Sequence, residues 1–193
     1  MAQQFLYDPE PPAGSAFLRF VNAGPDALQL RPDFTAAHTL GTEPGARITP
    51  YAVVEGVAGR RLALEGRPIT LRPGSFNTLI VTPDRQWLVT DQAEFNQLRA
   101  RLTFYNATAG CADAMLALAP GGQPVFQGLA PGEGRSRAVN PAPARLRAVC
   151  AAGEAPEIAL EGLEAGGMYS IWLMRPGSAT LAFMTRDTTE RRR

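Results

Sequence analysis

Few residues of this 193-residue chain could carry out acid–base or nucleophilic chemistry. His38 is the single histidine, and it is the only imidazole that could serve as the base of a Ser-His-Asp or Cys-His site. It lies in a stretch rich in Thr and Ala without a nucleophile motif such as Gly-x-Ser-x-Gly, so we expect a surface-loop histidine. One histidine and two distant cysteines cannot form a zinc tetrahedron without several carboxylates. We therefore predict no catalytic residue, no cofactor, no cofactor-binding residue and no metal ligand.

The charged residues exclude further classes of protein. All 19 cationic residues are arginine, which excludes Walker-type phosphate loops and Schiff-base chemistry, because both need a lysine. The formal net charge is +1, so no general field attracts the chain to nucleic acid, and we predict no nucleic-acid partner. The sequence has no apolar run of the roughly 18 residues that a membrane-spanning helix requires.

The two cysteines, Cys111 and Cys150, are a candidate disulfide. Closing the long segment between them would stabilise the fold by about 4 kcal/mol, and it would require an oxidising compartment. Two buried free thiols are the alternative. The first residues lack the features of a signal peptide, so the protein is either cytosolic or a secreted protein whose signal peptide has been removed.

The hydrophobic pattern is that of short β-strands in both halves of the chain. Seven short runs rich in β-branched, aromatic and other apolar residues lie between residues 16 and 89, and seven more lie between 101 and 184. Turn residues separate them, drawn largely from 19 glycines and 17 prolines. We predict an all-β fold of two tandem β-sandwich, immunoglobulin-like domains. Its predicted parts are an extended arm (1–13), domain 1 (14–91), a short linker (92–97), domain 2 (98–187) and a disordered basic tail (188–193).

The two halves are similar in sequence. Residues 16–23 match residues 100–107 at five of eight positions. Two further similarities follow in the same order: residues 63–66 recur as 159–162, and residues 74–79 resemble 167–172 at an offset of 93. Small loop insertions account for the differing offsets, so we predict an internal duplication.

One strand suggests a contact surface. Along residues 169–174, alternation places Ile171 on one face and Trp172 and Met174 on the other. If Ile171 faces the core, Trp172 and Met174 form an exposed apolar pair that suits a partner protein or a polymer. Core packing is the alternative for these and the other aromatic residues. The other candidate contact residues are Tyr7, in the arm, and Arg186.

The beginning of the chain resembles a known family. Leu6-Tyr7-Asp8-Pro9, followed by residues 12–23, resembles the start of the mature alginate O-acetylation protein AlgF. The chain is also similar to that family in length, in its second half and in a Thr-Arg pair near the end, here Thr185-Arg186.

The resemblance implies a periplasmic protein, made with a cleaved signal peptide, that is needed to O-acetylate an exopolysaccharide such as alginate or cellulose. It implies a non-catalytic adaptor with three kinds of partner: periplasmic acetyltransferase proteins, the membrane-bound acyltransferase of the same system, and the polysaccharide itself. Two alternatives remain. One is a carbohydrate-binding module that presents the polymer, and the other is an acetyltransferase with a transient acetyl-serine or acetyl-threonine.

Overall fold

The computed structural model describes residues 11–91, 97–151 and 153–190, and within them the chain is almost entirely β-structure. One short 3-10 helix spans Pro44–Arg47. The first half contains β1 (Ala16–Asn22), β2 (Leu28–Leu30), β3 (His38–Leu40), β4 (Ala52–Val54), β5 (Leu62–Leu64), β6 (Arg67–Ile69), β7 (Phe76–Val81) and β8 (Gln86–Asp91). The second contains β9 (Ala100–Ala107), β10 (Ala114–Leu118), β11 (Pro124–Leu129), β12 (Gly134–Val139), β13 (Ala144–Cys150), β14 (Gly153–Glu154), β15 (Ile158–Leu160), β16 (Met168–Met174) and β17 (Leu181–Arg186). The all-β prediction is confirmed, and the sheets form two sandwich-like halves.

Besides the two-residue strand β14, two of these strands are not predicted from the sequence. No strand was predicted at β3, whose segment, His38–Leu40, offers little β-branched or aromatic content. The other is β11, where Pro124 and Gly128 interrupt the pattern. Both pair with a predicted strand that has a clear apolar pattern, β2 for β3 and β10 for β11, so tertiary pairing overrides weak local preference.

The first half is built on a four-stranded sheet of order β4-β1-β7-β8, with β1 and β7 parallel. Alternate residues of β1, among them Leu18 and Phe20, turn to one face of that sheet. The hairpins β2–β3 and β5–β6 contribute apolar residues to the core on this face, including Leu30 and Leu64. This core stabilises the first half from one side of its sheet.

The second half repeats the arrangement with a complete second sheet. Strands β12-β9-β16-β17 form a four-stranded sheet, again with a parallel central pair, β9 and β16. Its core face packs on the sheet built from β11, β10, β13, β14 and β15. Cys111 and Cys150 are disulfide-bonded in this core, with their Cα atoms 5.7 Å apart.

The remaining faces of the two four-stranded sheets share a third apolar core. Val21 and Ile80 from the first half lie in one cluster with Tyr105, Trp172 and Phe183 from the second. Trp172 and Met174 have no exposed surface, so the expectation that they form an exposed contact pair is wrong. The alternation along this strand is as predicted, but its second face is covered by the other half of the same chain. The domain boundaries at 14–91 and 98–187 stay predictions, and residues 92–96 of the proposed linker lie outside the described residues.

Strand register shows how the duplication is built. Arg19 pairs with Thr78 across β1 and β7, and Thr103 pairs with Ser170 across β9 and β16. Positions 19 and 103 are equivalent at the sequence offset of 84, so Thr78 corresponds to Ser170 at an offset of 92. The sequence comparison at 93 is therefore one residue out of register in this strand pair.

Two asparagines have the same role in the two halves. The Asn22 side chain accepts a hydrogen bond from the Gly24 amide and donates to the carbonyls of Asp26 and Gly41. Asn106 accepts from the Thr108 amide and donates to the carbonyls of Cys111 and Leu129. Each asparagine thus closes the turn after its strand and ties it to a second loop, which explains why the pair matches in sequence.

Candidate functional site

A buried arginine lies between the two halves. Arg19 follows Leu18 on β1, so its side chain leaves the opposite face of the sheet and enters the space between the halves, where it is 1% exposed. Its Nε donates a hydrogen bond to Thr78 Oγ1 at 2.9 Å. Its two terminal nitrogens donate to residues of the second half: Asp187 Oδ1 at 2.7 Å, Tyr105 OH at 2.9 Å and Ser170 Oγ at 3.0 Å.

Two hydroxyl–carboxylate pairs flank this guanidinium, one from each half. Thr78 Oγ1 donates to Asp91 Oδ2 at 2.9 Å, and Ser170 Oγ donates to Asp187 Oδ1 at 2.7 Å. Asp91 pairs with Phe76 at the end of β8, and the Asp187 amide bonds to Met168, the residue equivalent to Phe76. The two carboxylates are therefore equivalent by the duplication, although the sequence comparison did not align them.

Aromatic rings complete the environment of the arginine. The guanidinium carbon lies 4.4 Å from the centre of the Tyr51 ring, 4.9 Å from that of Trp172 and 5.4 Å from that of Tyr105. The Tyr105 and Trp172 rings stack on each other with centroids 4.3 Å apart. Tyr51 and Tyr105 both donate their hydroxyl hydrogens to Asp91. We call Arg19, Tyr51, Thr78, Asp91, Tyr105, Ser170 and Asp187 the Arg19 network.

Burial shifts the titration of this network. Desolvation alone would lower the pKa of Arg19, but the hydroxyl groups of Tyr105 and Tyr51 and the carboxylates of Asp187 and Asp91 outweigh it and raise that pKa, so the arginine stays charged. Burial raises the pKa of Asp91, against the opposing effects of Arg19 and of the hydroxyl donors. Burial therefore outweighs the combined effect of the cation and the hydroxyl donors on the pKa of this carboxyl.

This shift predicts a pH dependence of stability that an Asp91→Asn variant removes. With its pKa raised in the folded state, Asp91 binds a proton more readily in the folded than in the unfolded chain. We compare the unfolding free energy of the wild type with that of the variant. The difference, wild type minus variant, should fall as the pH rises above about 4, which is the typical pKa of an aspartate in an unfolded chain. Urea unfolding at a series of pH values measures it, with Asp84→Asn as an exposed control. A difference that grows with pH would contradict the assignment.

The carboxyl-terminal segment crosses from the second half to the first. After β17, Asp187 binds Arg19, and the following backbone pairs with Tyr51: the Tyr51 amide donates to Thr188, and the Glu190 amide donates to Tyr51. Residues 188–190, predicted as part of a disordered tail, are thus held by backbone hydrogen bonds, and residues 191–193 lie outside the described residues. The prediction failed there because the segment Asp187–Glu190 has no apolar residue and so no hydrophobic alternation, while backbone pairing needs none.

Two glycines allow close approach at the opposite edge of this interface. A Cβ on Gly134 would lie 3.1 Å from Val89 of the first half, and one on Gly132 would overlap the Trp87 ring, also of the first half. Gly132 also has a φ of +75°, a conformation that disfavours any larger residue. The turn that contains both glycines therefore also packs one half on the other.

The structure does not gather the other sequence-predicted residues into a site. His38 is half-buried on β3, 3.3 Å from Thr35 Oγ1 and packed on the Phe20 ring, and among the described residues no carboxylate is hydrogen-bonded to it. Arg186 is half-exposed and forms an ion pair with Glu164 at 2.7 Å. Tyr7 lies outside the described residues.

A sequence signal for the interface did exist, within the repeat itself. Residues 16–23 and 100–107 differ at three positions, and these are the alternate residues 17, 19 and 21 and their counterparts. The matching alternate residues, such as Leu18 and Leu102, face the core of their own half. The differing ones include Arg19, Val21 and Tyr105, which meet at the shared face. The residues that face the shared core differ between the two copies, because the two surfaces have to fit each other around one arginine. The residues that face the core within each half keep the same pattern.

Chemically, the Arg19 network is suited to holding the two halves together. Ser170, whose hydroxyl contacts a carboxylate, has no exposed surface, and its hydrogen bonds to Asp187 and Arg19 are internal. Across residues 11–91, 97–151 and 153–190, no group of three or more metal-ligating side chains comes together. No helix in that part of the chain has both the length and the apolar character to cross a membrane.

Comparisons with known proteins give a partial likeness among solved structures. No family model matches the chain, and no curated protein matches it. Among solved structures, the chain is similar to the C-terminal domain of AlgF from P. aeruginosa, with a TM-score of 0.40 and 16% sequence identity. The match covers 46% of this chain and 98% of that one.

Proposed function

We propose that this protein is a non-catalytic periplasmic adaptor needed to O-acetylate an exopolysaccharide, alginate or a similar polymer such as cellulose. It bridges proteins of the acetylation complex: the periplasmic acetyltransferases and the membrane-bound acyltransferase of the same system. The sequence support is the resemblance of residues 6–23 to the AlgF family. The disulfide in the second half suits the oxidising periplasm.

The observation that carries the adaptor role is the way the Arg19 network joins the halves. Arg19 contacts Thr78 in one half and Asp187, Tyr105 and Ser170 in the other, all within 3.0 Å. A charged group that is buried across an interface must keep its partners, so it resists hinge motion between the halves. A chain with two surfaces in one fixed arrangement can orient two partners, and joining two weak contacts raises the overall affinity.

The test is genetic and chemical. In the organism that produces the protein, deletion of its gene should leave polymer secretion intact and remove the O-acetyl groups, which nuclear magnetic resonance of the purified polymer measures. A plasmid copy should restore them. An acetylated polymer from the deletion strain would refute the proposal.

A second measurement separates the adaptor from its alternatives. The purified protein should co-purify with the periplasmic acetyltransferases when they are expressed together. Incubation with an acetyl donor should add no acetyl mass to any serine or threonine. Saturable binding of polymer fragments without binding of the enzymes would favour the carbohydrate-binding module instead.

A further inference from the structure

Strand β17 lies at the edge of its sheet and has one unpaired side. It pairs with β16 alone. The Asp187 amide donates to the Met168 carbonyl, and in an antiparallel ladder every second residue bonds to the same neighbour, so the odd-numbered residues of β17 bond to β16. The amides and carbonyls of Ala182, Met184 and Arg186 therefore point away from β16. In the described part of the chain, no other strand pairs with this edge.

The same edge is already used for pairing just beyond the strand. The Thr188 carbonyl accepts a hydrogen bond from the Tyr51 amide, and the Glu190 amide donates to the Tyr51 carbonyl. Both residues are even-numbered, like those that leave the edge of β17 open. The interface between the halves is therefore continuous with a strand edge that ends in pairing but is open along β17.

The edge strand β11 of the other sheet in this half is protected in a way that β17 is not. The side chains of Arg135 and Arg137 on β12 donate hydrogen bonds to the carbonyls of Gln127 and Val125 on β11. Along β17 no proline or glycine interrupts the strand, and its one charged residue, Arg186, is at the end. An open apolar edge of this kind favours the addition of another strand.

A strand added at this edge would lie between two apolar surfaces. On one face of the sheet, Ala182 and Met184 pack against the core of the second half. On the other face, Leu181 and Phe183 belong to the core that the two halves share. The added strand therefore needs small or apolar side chains on both of its faces. The strand β17 itself meets that requirement.

We propose that β17 of one copy pairs antiparallel with β17 of a second copy, so that the protein forms a two-fold symmetric dimer through this edge. With the axis at Phe183, Ala182 lies opposite Met184 of the second copy. Both residues direct their backbone groups to the open edge, so they form a hydrogen-bonded pair. The two Phe183 residues form the non-hydrogen-bonded pair between them, where side chains on neighbouring strands approach most closely.

The same register matches the remaining side chains. Leu181 lies opposite Thr185 of the second copy, and Thr180 lies opposite Arg186, so no like charges meet. A two-fold axis perpendicular to the sheet keeps each face on its own side, so both apolar cores continue across the dimer. A polysaccharide has no regular row of amide donors and carbonyl acceptors, so this backbone edge favours a polypeptide over a polymer.

The test is the oligomeric state of the full chain, with Ala182→Pro compared with Ala182→Val. Proline removes the amide hydrogen that faces the open edge and is tolerated on that side of an edge strand, whereas valine has similar bulk and retains the amide. A single pair of six-residue strands is a small interface, so the wild type and the valine variant should dimerise between about 10 µM and 1 mM in sedimentation equilibrium. The proline variant should have a Kd raised about tenfold or more.

Hydrogen exchange of the wild type tests the same edge without a substitution. The amides of Ala182 and Met184 should exchange more slowly as the protein concentration rises, while the Phe183 amide, already bonded to β16, should not change. A wild type that stays monomeric at about 1 mM refutes the dimer and leaves the edge open to a strand of another protein. Equal dimerisation of the proline and valine variants would place the contact elsewhere. The proposal goes beyond the adaptor function, and neither result changes the outcome of the gene deletion.

Discussion

Replacing Arg19 with methionine is expected to lower the free energy of unfolding by about 3–5 kcal/mol, because it leaves buried carboxylates without their cation. The methionine fills much of the same space, so the loss reports charge more than volume. Asp187 would lose its 2.7 Å ion pair, and Asp91 would lose the nearest positive charge while staying buried. Urea unfolding of the purified variant at neutral pH measures the change.

The control is Arg85→Met, which removes an exposed arginine without an ion pair in the described residues and should change stability by no more than about 0.5 kcal/mol. Adding Asp187→Asn to the Arg19→Met variant should recover part of the loss, since it removes one uncompensated charge. Equal effects of the Arg19 and Arg85 substitutions would show that the network does not hold the halves together.

Trp172→Ala should cost about 3–5 kcal/mol, in contrast to the near-neutral change expected of an exposed aromatic residue. The indole is fully buried, stacks on Tyr105 and donates a hydrogen bond to Thr185 at 2.9 Å. Its removal leaves a cavity in the core that the two halves share, beside the guanidinium of Arg19. Thermal and urea unfolding measure the loss.

The chain provides its own comparison in the other tryptophan. Trp87 lies at the edge of the same core and is only partly buried, so Trp87→Ala should cost clearly less. Trp172→Phe retains a ring for stacking and should recover much of the stability lost in the alanine variant. A Trp172→Ala protein as stable as the wild type would mean that the halves do not pack through this residue.

Much of the architecture follows from local pattern. Alternation along the strands and the turn residues between them predict the all-β fold, because a strand with one buried face has to alternate. The same alternation correctly separates Ile171 from Trp172, which lie in different cores. What alternation cannot tell is what covers the second face, since a partner protein and the other half of the chain both require apolar side chains there.

The Arg19 network was hidden for a different reason. An arginine in a strand is usually exposed, and nothing local to Arg19 shows that two carboxylates far along the chain will meet it. Tyr51 directly precedes β4 and Asp91 ends β8, and only the tertiary packing brings the two side chains together. The differing positions of the repeat marked the shared face, but their meaning depends on knowing that the two copies pack on each other.

A single arginine between two equivalent acidic residues has a consequence for how such a protein can arise. In a homodimer with two-fold symmetry every side chain occurs twice, so one subunit cannot carry an arginine that the other lacks. Position 103, the counterpart of Arg19, holds a threonine that bonds to Ser136 instead. When both copies are joined in one polypeptide, their sequences can differ, and a single charged residue can be buried between them.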